Sequence, residues 1–443
     1  MALILENSAV DFSRVVRSTS GWWLDAKRVT ELFHIDKRIA VALGQGKGQM
    51  GDARRRGDWQ SGPPVQFVIQ NQPQFVVAHS VSLPRRIASV LSLRPPLFYP
   101  YNMKTTDILK YPLWALALAT GAKSFRDNKV IGSAALNRLG LHAARIRLAH
   151  RIAQSRRGRL AHLVSPQDRA AFDRDGFVLK SNFLGGDEFA ALREQAMAFR
   201  GPAREMVQGD TITRRIALDG PALKAMPPVA ALLRRADWRG LMRYAGSFDQ
   251  EPLYYIQTIL SQVRDGAADP QTNLHADTFH PSLKAWLFLT DVAEDEGPFV
   301  YVPGSHRLTP ERLAWEREMS IAAAGLADRY SARGSFRVDQ AALERMGLPG
   351  PRTFAVPANT LVVADTVGFH ARGASARPSR RVEIWGYGRR NPFLPWTGLD
   401  PLSLPGIAEA RVPLLWKVLD LAQKLGFKGN SWADKGLKRA LDD

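Results

Sequence analysis

The stretch Leu274-His275-Ala276-Asp277-Thr278-Phe279-His280, followed by the apolar run Ala285-Trp286-Leu287-Phe288-Leu289-Thr290-Asp291-Val292, decides how the rest of this sequence is read. In an extended chain residues i and i+2 point the same way, so His275 and Asp277 converge while Ala276 faces the other side. An isolated histidine, His370, follows 93 residues after Asp277, far enough for several strands to pass between them. Two imidazoles and one carboxylate fill one face of an octahedral ion and leave the opposite face open, the arrangement that suits non-haem Fe(II). A His-x-Asp triplet alone is a weak signal, because 9 histidines and 42 acidic residues make chance pairs common. Its surroundings decide.

Those surroundings read as short strands separated by turns. Ala285 to Val292 has the length and composition of a buried strand. Glu296 to His306 reads as turn, short strand and second turn, with Pro303 and Gly304 in backbone roles. Asn359 to Asp365 and Arg381 to Tyr387 are again strand-like and bracket His370 in a polar loop. This pattern predicts a double-stranded β-helix, a jelly-roll or cupin-like barrel that is mainly β at its core, with flanking helices.

Taken in order, these pieces make the segment from about Ser165 to Asn391 resemble the phytanoyl-CoA dioxygenase family of Fe(II)/2-oxoglutarate oxygenases. The resemblance is carried by Phe172-Asp173-Arg174-Asp175-Gly176-Phe177-Val178 with Asn182-Phe183-Leu184, by His275-Ala276-Asp277, by Trp286-Leu287-Phe288-Leu289, by Val302-Pro303-Gly304-Ser305-His306, and by His370 through Arg381. It implies iron held by His275, Asp277 and His370, with 2-oxoglutarate as co-substrate and O2 as oxidant. Succinate and carbon dioxide would be released as an aliphatic C–H bond is hydroxylated. It also implies an arginine for the far carboxylate of 2-oxoglutarate. Arg381, 11 residues after His370, stands there, and strand alternation turns Arg380 to the other face. A guanidinium fork suits a carboxylate because it offers two parallel charge-assisted hydrogen bonds, which lysine cannot reproduce. Trp286 and Gln257 are the other expected neighbours of the co-substrate, although an aromatic residue in an apolar strand is often simply core. Relatives that halogenate replace the carboxylate ligand by a small residue; Asp277 is present, which favours hydroxylation or another oxidative outcome.

Charge is unevenly spread. Residues 1–160 hold 25 Lys and Arg against 9 Asp and Glu, a net of +16 out of +19 for the chain. Leu136 to Leu160 interleaves seven arginines with apolar residues at helical spacing and predicts one basic amphipathic helix. Residues 106–160 are therefore the expected contact with an anionic membrane surface, as a peripheral association. Nucleic acid is not expected, since no zinc finger, helix-turn-helix or aromatic-interleaved RNA motif accompanies the charge. Cysteine is absent, so there is no disulfide framework or thiolate site, which fits a cytoplasmic protein. The start of the chain lacks the pattern of a secretory signal. The apolar stretch Tyr111 to Ala122 is about half a membrane span.

Four segments follow. Residues 1–105 form an N-terminal region of unreadable fold, with a polar stretch from Gly44 to Pro64 and a strand over Val65 to Ala78. Residues 106–160 are the basic helical segment, 161–398 the oxygenase domain, and 399–443 an extension with an amphipathic helix over Val412 to Phe427. Within the domain, Ser165 caps a helix that Gly176 stops, Asp187 caps a second helix from Glu188 to Phe199, and Arg307 to Pro351 is a helical insertion between barrel strands. Gln208-Gly209-Asp210-Thr211 and Arg214-Arg215, lying between the entry helices and the barrel, and His280, three residues past Asp277, are the expected substrate contacts. The substrate reads no more narrowly than a small-molecule, lipid or glycolipid-like compound. The competing class of function is a non-catalytic barrel that binds a membrane or protein through its basic segment, and the complete triad with Arg381 speaks against it.

Overall fold

The computed structural model describes residues 68–71, 74–77, 109–426 and 429–443, and the chain divides after Lys104 into two units. In the first unit β1 (Val68–Asn71) pairs antiparallel with β2 (Gln74–Val77). The single strand expected over 65–78 is thus two strands, consistent with Pro73, which has no N–H to give a ladder. The stretch 44–64, His34 and His79 lie outside the described residues.

The second unit begins with helices. α1 (Tyr111–Leu116) comes first, and α2 (Ala134–Arg138) and α3 (Leu141–Leu160) replace the one helix expected over 136–160. Gly140, at φ +97°, breaks it between α2 and α3. α4 (Pro166–Asp175) starts as the sequence says, with the Ser165 hydroxyl accepting from the Asp168 N–H, and ends on left-handed Gly176. α5 (Gly186–Ala198) is capped at Gly185, so Asp187 lies in its first turn and favours the dipole without capping it. Then come α6 (Gly220–Ala225), α7 (Pro227–Arg234) and α8 (Ala236–Gly246), followed in the insertion by α9 (Pro310–Ala322), α10 (Arg329–Ala332) and α11 (Gln340–Arg345). α12 (Ile407–Lys424) closes the helical list.

The strands form two antiparallel sheets. The larger runs β13-β4-β5-β6-β12-β7-β10-β3, built from β3 (Phe177–Lys180), β4 (Gly201–Gln208), β5 (Thr211–Ala217), β6 (Leu253–Ser261), β7 (Leu283–Phe288), β10 (Leu361–Asp365), β12 (Ser379–Gly388) and β13 (Ala433–Lys438). The smaller is β11-β8-β9, from β8 (Phe299–Tyr301), β9 (Arg352–Phe354) and β11 (His370–Arg372). His370 thus opens a strand where a loop was expected. β13 had no signal in the sequence reading.

Period-two alternation makes three layers of this. On β7 Leu283, Ala285 and Leu287, on β10 Leu361 and Val363, and on β12 Val382 and Ile384 all join one core with Leu192, Val229 and Trp238 from α5, α7 and α8. The alternate residues Trp286, Phe288, Val362, Ala364 and Trp385 face the other way and pack with Phe299, Tyr301 and Phe354 of the smaller sheet. Trp286 and Phe299 sit with ring centroids 4.3 Å apart, Phe177 and Phe354 at 4.9 Å edge-to-face. The result is helices on a large sheet on a small sheet, a jelly-roll whose inter-sheet space opens into a cavity. Among the described residues no helix is long and apolar enough to cross a membrane.

Candidate active site

A pair of reciprocal backbone hydrogen bonds brings the two histidines together. His275 N–H donates to the His370 carbonyl and His370 N–H donates to the His275 carbonyl, each at 2.9 Å, so the residues stand directly opposite across an antiparallel bridge. Their rings lie 4.6 Å apart. Asp277, two residues along, turns to the same side: its Oδ1 is 3.8 Å from His275 Nε2 and its Oδ2 is 3.6 Å from His370 Nε2. One ligand atom from each of the three lies within 4.8 Å of the others.

The donor set is prepared for a cation. His275 Nδ1 is 2.8 Å from the Asn273 carbonyl and His370 Nδ1 is 2.9 Å from the Gly368 carbonyl. Carbonyls accept only, so each Nδ1 carries a proton and each Nε2 is turned toward the shared point. Burial, reinforced by the neighbouring His370, holds His275 neutral well below the usual imidazole range. Burial pushes the Asp277 carboxyl up, but Lys284 and His370 outweigh it and hold it well below the ordinary carboxylate range. Neutral imidazole and ionised carboxylate are the forms a metal requires. Lys284 Nζ is 2.6 Å from Asp277 Oδ2 in an ion pair without hydrogen-bond angles, and 3.4 Å from His370 Nε2. Lys123 Nζ donates to the Asp277 backbone carbonyl, and burial lowers its pKa to about 8 despite the attraction of Asp277.

The triad opens on a cavity of about 370 Å³ that Arg381, Trp286 and Gln257 also line. Arg381 is 5% exposed, and its Nε donates to Glu383 Oε2 at 2.9 Å while Nη1 donates to the Gly297 carbonyl. Arg380 turns outward and meets Leu441 and Asp443 at the surface. Gln257 stands opposite Glu383 on the neighbouring strand and donates to its Oε1 at 2.7 Å.

The expected substrate contacts fare differently. Asp210 sits in the turn between β4 and β5, where its carboxylate accepts from the Thr211 hydroxyl, and neither residue lines the cavity. Arg214 is 2% exposed and faces away: it pairs with Glu205 at 2.7 Å and donates to carbonyls of Arg439, Ala440 and Asp442. Its neighbour Arg215, also expected, lines the cavity, as does Gln208, while Gly209 does not; successive residues of β5 point to opposite faces, which separates the two arginines. His280 is fully buried beside Gly121 and Phe279, its Nδ1 against the Pro281 carbonyl, and it too is absent from the lining. Lys284, Arg372, Tyr387 and Trp432 line the cavity and had not been singled out. The first three were legible by alternation, two residues from Trp286, two from His370 and six from Arg381.

The basic helix is also rearranged by packing. Arg145 and Arg156 point inward, Arg145 donating to the carbonyls of Leu118, Thr120 and Ala122 and Arg156 to those of Ser247, Pro392 and Leu394. Arg157 pairs with buried Asp365 at 2.7 Å. Arg138, Arg147, Arg151 and Arg159 remain exposed. On α12, Val412 and Trp416 face inward while Leu414, Val418 and Leu421 face out.

Residues 172–339 match the family model described as phytanoyl-CoA dioxygenase. His275 and Asp277 fall inside that match; His370 and Arg381 lie beyond it. No curated protein matches the chain. Among solved structures the chain is similar to the non-heme alpha ketoglutarate dependent epimerase SnoN from nogalamycin biosynthesis, at 21% identity over 51% of this chain and 82% of that one, TM-score 0.35. It is similar to HygX from Streptomyces hygroscopicus, solved with nickel, 2-oxoglutarate and hygromycin B, at 17% identity over 51% and 87%, TM-score 0.32. The non-heme alpha ketoglutarate dependent carbocyclase SnoK from nogalamycin biosynthesis follows at 20% identity over 51% and 84%, TM-score 0.30.

Proposed function

We propose that the protein is an Fe(II)- and 2-oxoglutarate-dependent oxygenase, a reading supported by the match of residues 172–339 to the phytanoyl-CoA dioxygenase family model. In this reading it hydroxylates an aliphatic C–H bond of a small-molecule or lipid-like substrate, with release of succinate and carbon dioxide. The observation that supports it most is geometric: two imidazole Nε2 atoms and a carboxylate oxygen converge within 4.8 Å on the wall of a cavity that a buried arginine also lines.

His275, Asp277 and His370 would hold the iron, and bound iron supplies the oxidising chemistry that no side chain can. The rest falls to the chain. The carbonyls of Asn273 and Gly368 fix the two imidazole tautomers. Arg381, oriented by Glu383 and Gly297, presents its fork to the distal carboxylate of 2-oxoglutarate. Trp286 and Phe299 wall the cavity and exclude water next to the triad. Lys284 compensates the Asp277 charge and holds its carboxylate on the cavity side.

Any contact with an anionic surface is proposed for the exposed arginines Arg138, Arg147, Arg151 and Arg159, since Arg145, Arg156 and Arg157 are committed inside the fold. The test of the enzymatic reading is anaerobic titration of Fe(II) and 2-oxoglutarate, watching for the weak visible charge-transfer absorption of the ternary complex. Wild-type protein should develop the band and Asp277→Ala should not. A wild-type protein that takes up neither iron nor 2-oxoglutarate is a binding scaffold.

A further inference from the structure

Four guanidinium groups line the active cavity, and their partners differ. Arg372 meets Asp269 and Arg381 meets Glu383. Arg389 is exposed and donates to the Gly121 carbonyl. Arg215 has no carboxylate partner among the described residues; its one hydrogen bond is from Nε to Gln257 Oε1 at 2.8 Å.

The surroundings nevertheless fix Arg215 firmly. Its guanidinium carbon lies 4.0 Å from the Trp385 ring centroid, 4.5 Å from Trp432 and 5.1 Å from Tyr255. Aromatic rings engage a guanidinium through its faces, leaving the in-plane N–H donors for hydrogen bonds. With Nε taken by Gln257, what remains is the edge carrying Nη1 and Nη2, on a residue that lines the cavity. Burial lowers the Arg215 pKa to about 10, so the group is still a cation at neutral pH. A partly buried cation held without a counter-ion is unfavourable unless a ligand supplies one.

The C-terminal extension completes this site. β13 adds to the edge of the large sheet beside β4. Trp432, just before it, is positioned by its N–H to Asn430 Oδ1 at 3.0 Å. Asn430 in turn donates to Asp420 at 3.0 Å, and Asp420 is paired with Arg204. Trp432 thereby becomes both a cavity wall and one of the rings on Arg215.

We infer that Arg215, clamped by Trp385 and Trp432, is the recognition site for an oxyanion, a carboxylate or phosphate, carried by the substrate. This rests on the enzymatic reading above and assigns the end of the substrate that points away from Arg381. The edge-on fork favours a planar carboxylate or a tetrahedral phosphate over an alcohol or amide, because both offer paired acceptor oxygens with charge.

The test uses full-length protein, metal-free and loaded with Ni(II) and saturating 2-oxoglutarate, titrated with hexanoate, hexyl phosphate and hexan-1-ol. Wild type should bind at least one of the two anions more tightly than the alcohol, and which one is preferred distinguishes carboxylate from phosphate. Arg215→Gln should lose at least tenfold in anion affinity with no change for the alcohol. Arg215→Lys and Trp432→Leu should each lose several-fold, and they carry the test if the glutamine variant does not fold. Anion binding equal to wild type in Arg215→Lys and Trp432→Leu overturns the assignment. So does a loss of 2-oxoglutarate affinity in Arg215→Gln as large as in Arg381→Lys, which would make Arg215 the co-substrate anchor. Failure of the metal-loaded protein to bind 2-oxoglutarate, with the Arg215-dependent anion binding intact in metal-free protein, would count against the oxygenase reading and leave the oxyanion site standing.

Discussion

Replacing Arg381 by lysine separates co-substrate binding from fold stability, which a harsher substitution cannot do. Arg381→Gln would remove the ion-pair partner of Glu383, a carboxylate with no solvent exposure, and breaking a buried pair costs about 3–5 kcal/mol. Loss of 2-oxoglutarate binding in that variant would be ambiguous. Lysine keeps a positive charge for Glu383 but cannot make two parallel bonds to a second carboxylate. One lost hydrogen bond to a charged group is worth about 1.5–3 kcal/mol, or roughly 10- to 150-fold in affinity. Arg380→Ala removes an exposed arginine that meets only Leu441 and Asp443 at the surface, a change of about 1 kcal/mol or less. Calorimetric titration of 2-oxoglutarate into the Ni(II)-loaded variants at one ionic strength, with a thermal melt of each, reads both quantities. If Arg381→Lys binds within about threefold of wild type, well short of the loss worked from one charged hydrogen bond, the carboxylate clamp is elsewhere. If Arg380→Ala shares the loss, the assignment of inward and outward faces on β12 is wrong.

Further outcomes follow from the same geometry. His275→Ala, Asp277→Ala and His370→Ala should each abolish Fe(II)-dependent succinate release with little change in melting temperature, because the apolar layers on either side of the sheet do not involve the metal. Wild-type turnover in any of them under iron-limited conditions refutes the triad. Stability should fall as pH drops below about 6.5: burial lowers His150 and His306 to about 3 and His280 well below the ordinary value, so the unfolded chain takes up protons that the folded chain refuses. Each such histidine costs up to about 1.4 kcal/mol per pH unit, and urea midpoints that are the same at pH 7.5 and 5.5 would contradict it. Arg145→Gln and Arg156→Gln should destabilise the fold by stripping donors from buried carbonyls, whereas Arg147→Gln and Arg151→Gln should stay within about 0.5 kcal/mol and lower only sedimentation with anionic vesicles.

Much of the site was legible because it depends on local alternation. His275 and Asp277 share a side by spacing alone, and so do Arg381, Glu383, Trp385 and Tyr387. The caps at Ser165 and Gly176 were legible for the same reason, since both act on backbone groups within a turn. Long-range pairing was not. Thr211 to Ile216 contains two adjacent arginines with nothing local to say which faces in; the choice is made by register, Arg215 falling opposite Gln257 on β6. The segment 136–160 reads as one basic amphipathic helix, because the carbonyls that draw Arg145 and Arg156 inward come from residues far along the chain or in an irregular segment. Trp432 carried no signal either: its place depends on β13 reaching β4, a contact between ends of the domain.

A single row of hydrogen bonds links two of the cavity's cations, Arg215 and Arg381. Arg215 donates to Gln257, Gln257 to Glu383, and Arg381 to Glu383, across three neighbouring strands whose register places Arg215, Gln257 and Glu383 side by side. Glu383 is fully buried yet lies within reach of both an amide donor and a guanidinium, so its charge orients Arg381 directly and Arg215 through the amide. Such a row is favourable only when every member is satisfied, since an unpaired buried donor or acceptor costs more than the bond returns. The barrel therefore supplies two oriented cations on one floor, and each leaves donors free toward the cavity that also contains the triad. With the distal carboxylate of 2-oxoglutarate on Arg381 and the substrate's oxyanion on Arg215, each reactant has its own cation beside the triad, which is how a cavity of about 370 Å³ can select one C–H bond without enclosing the whole substrate.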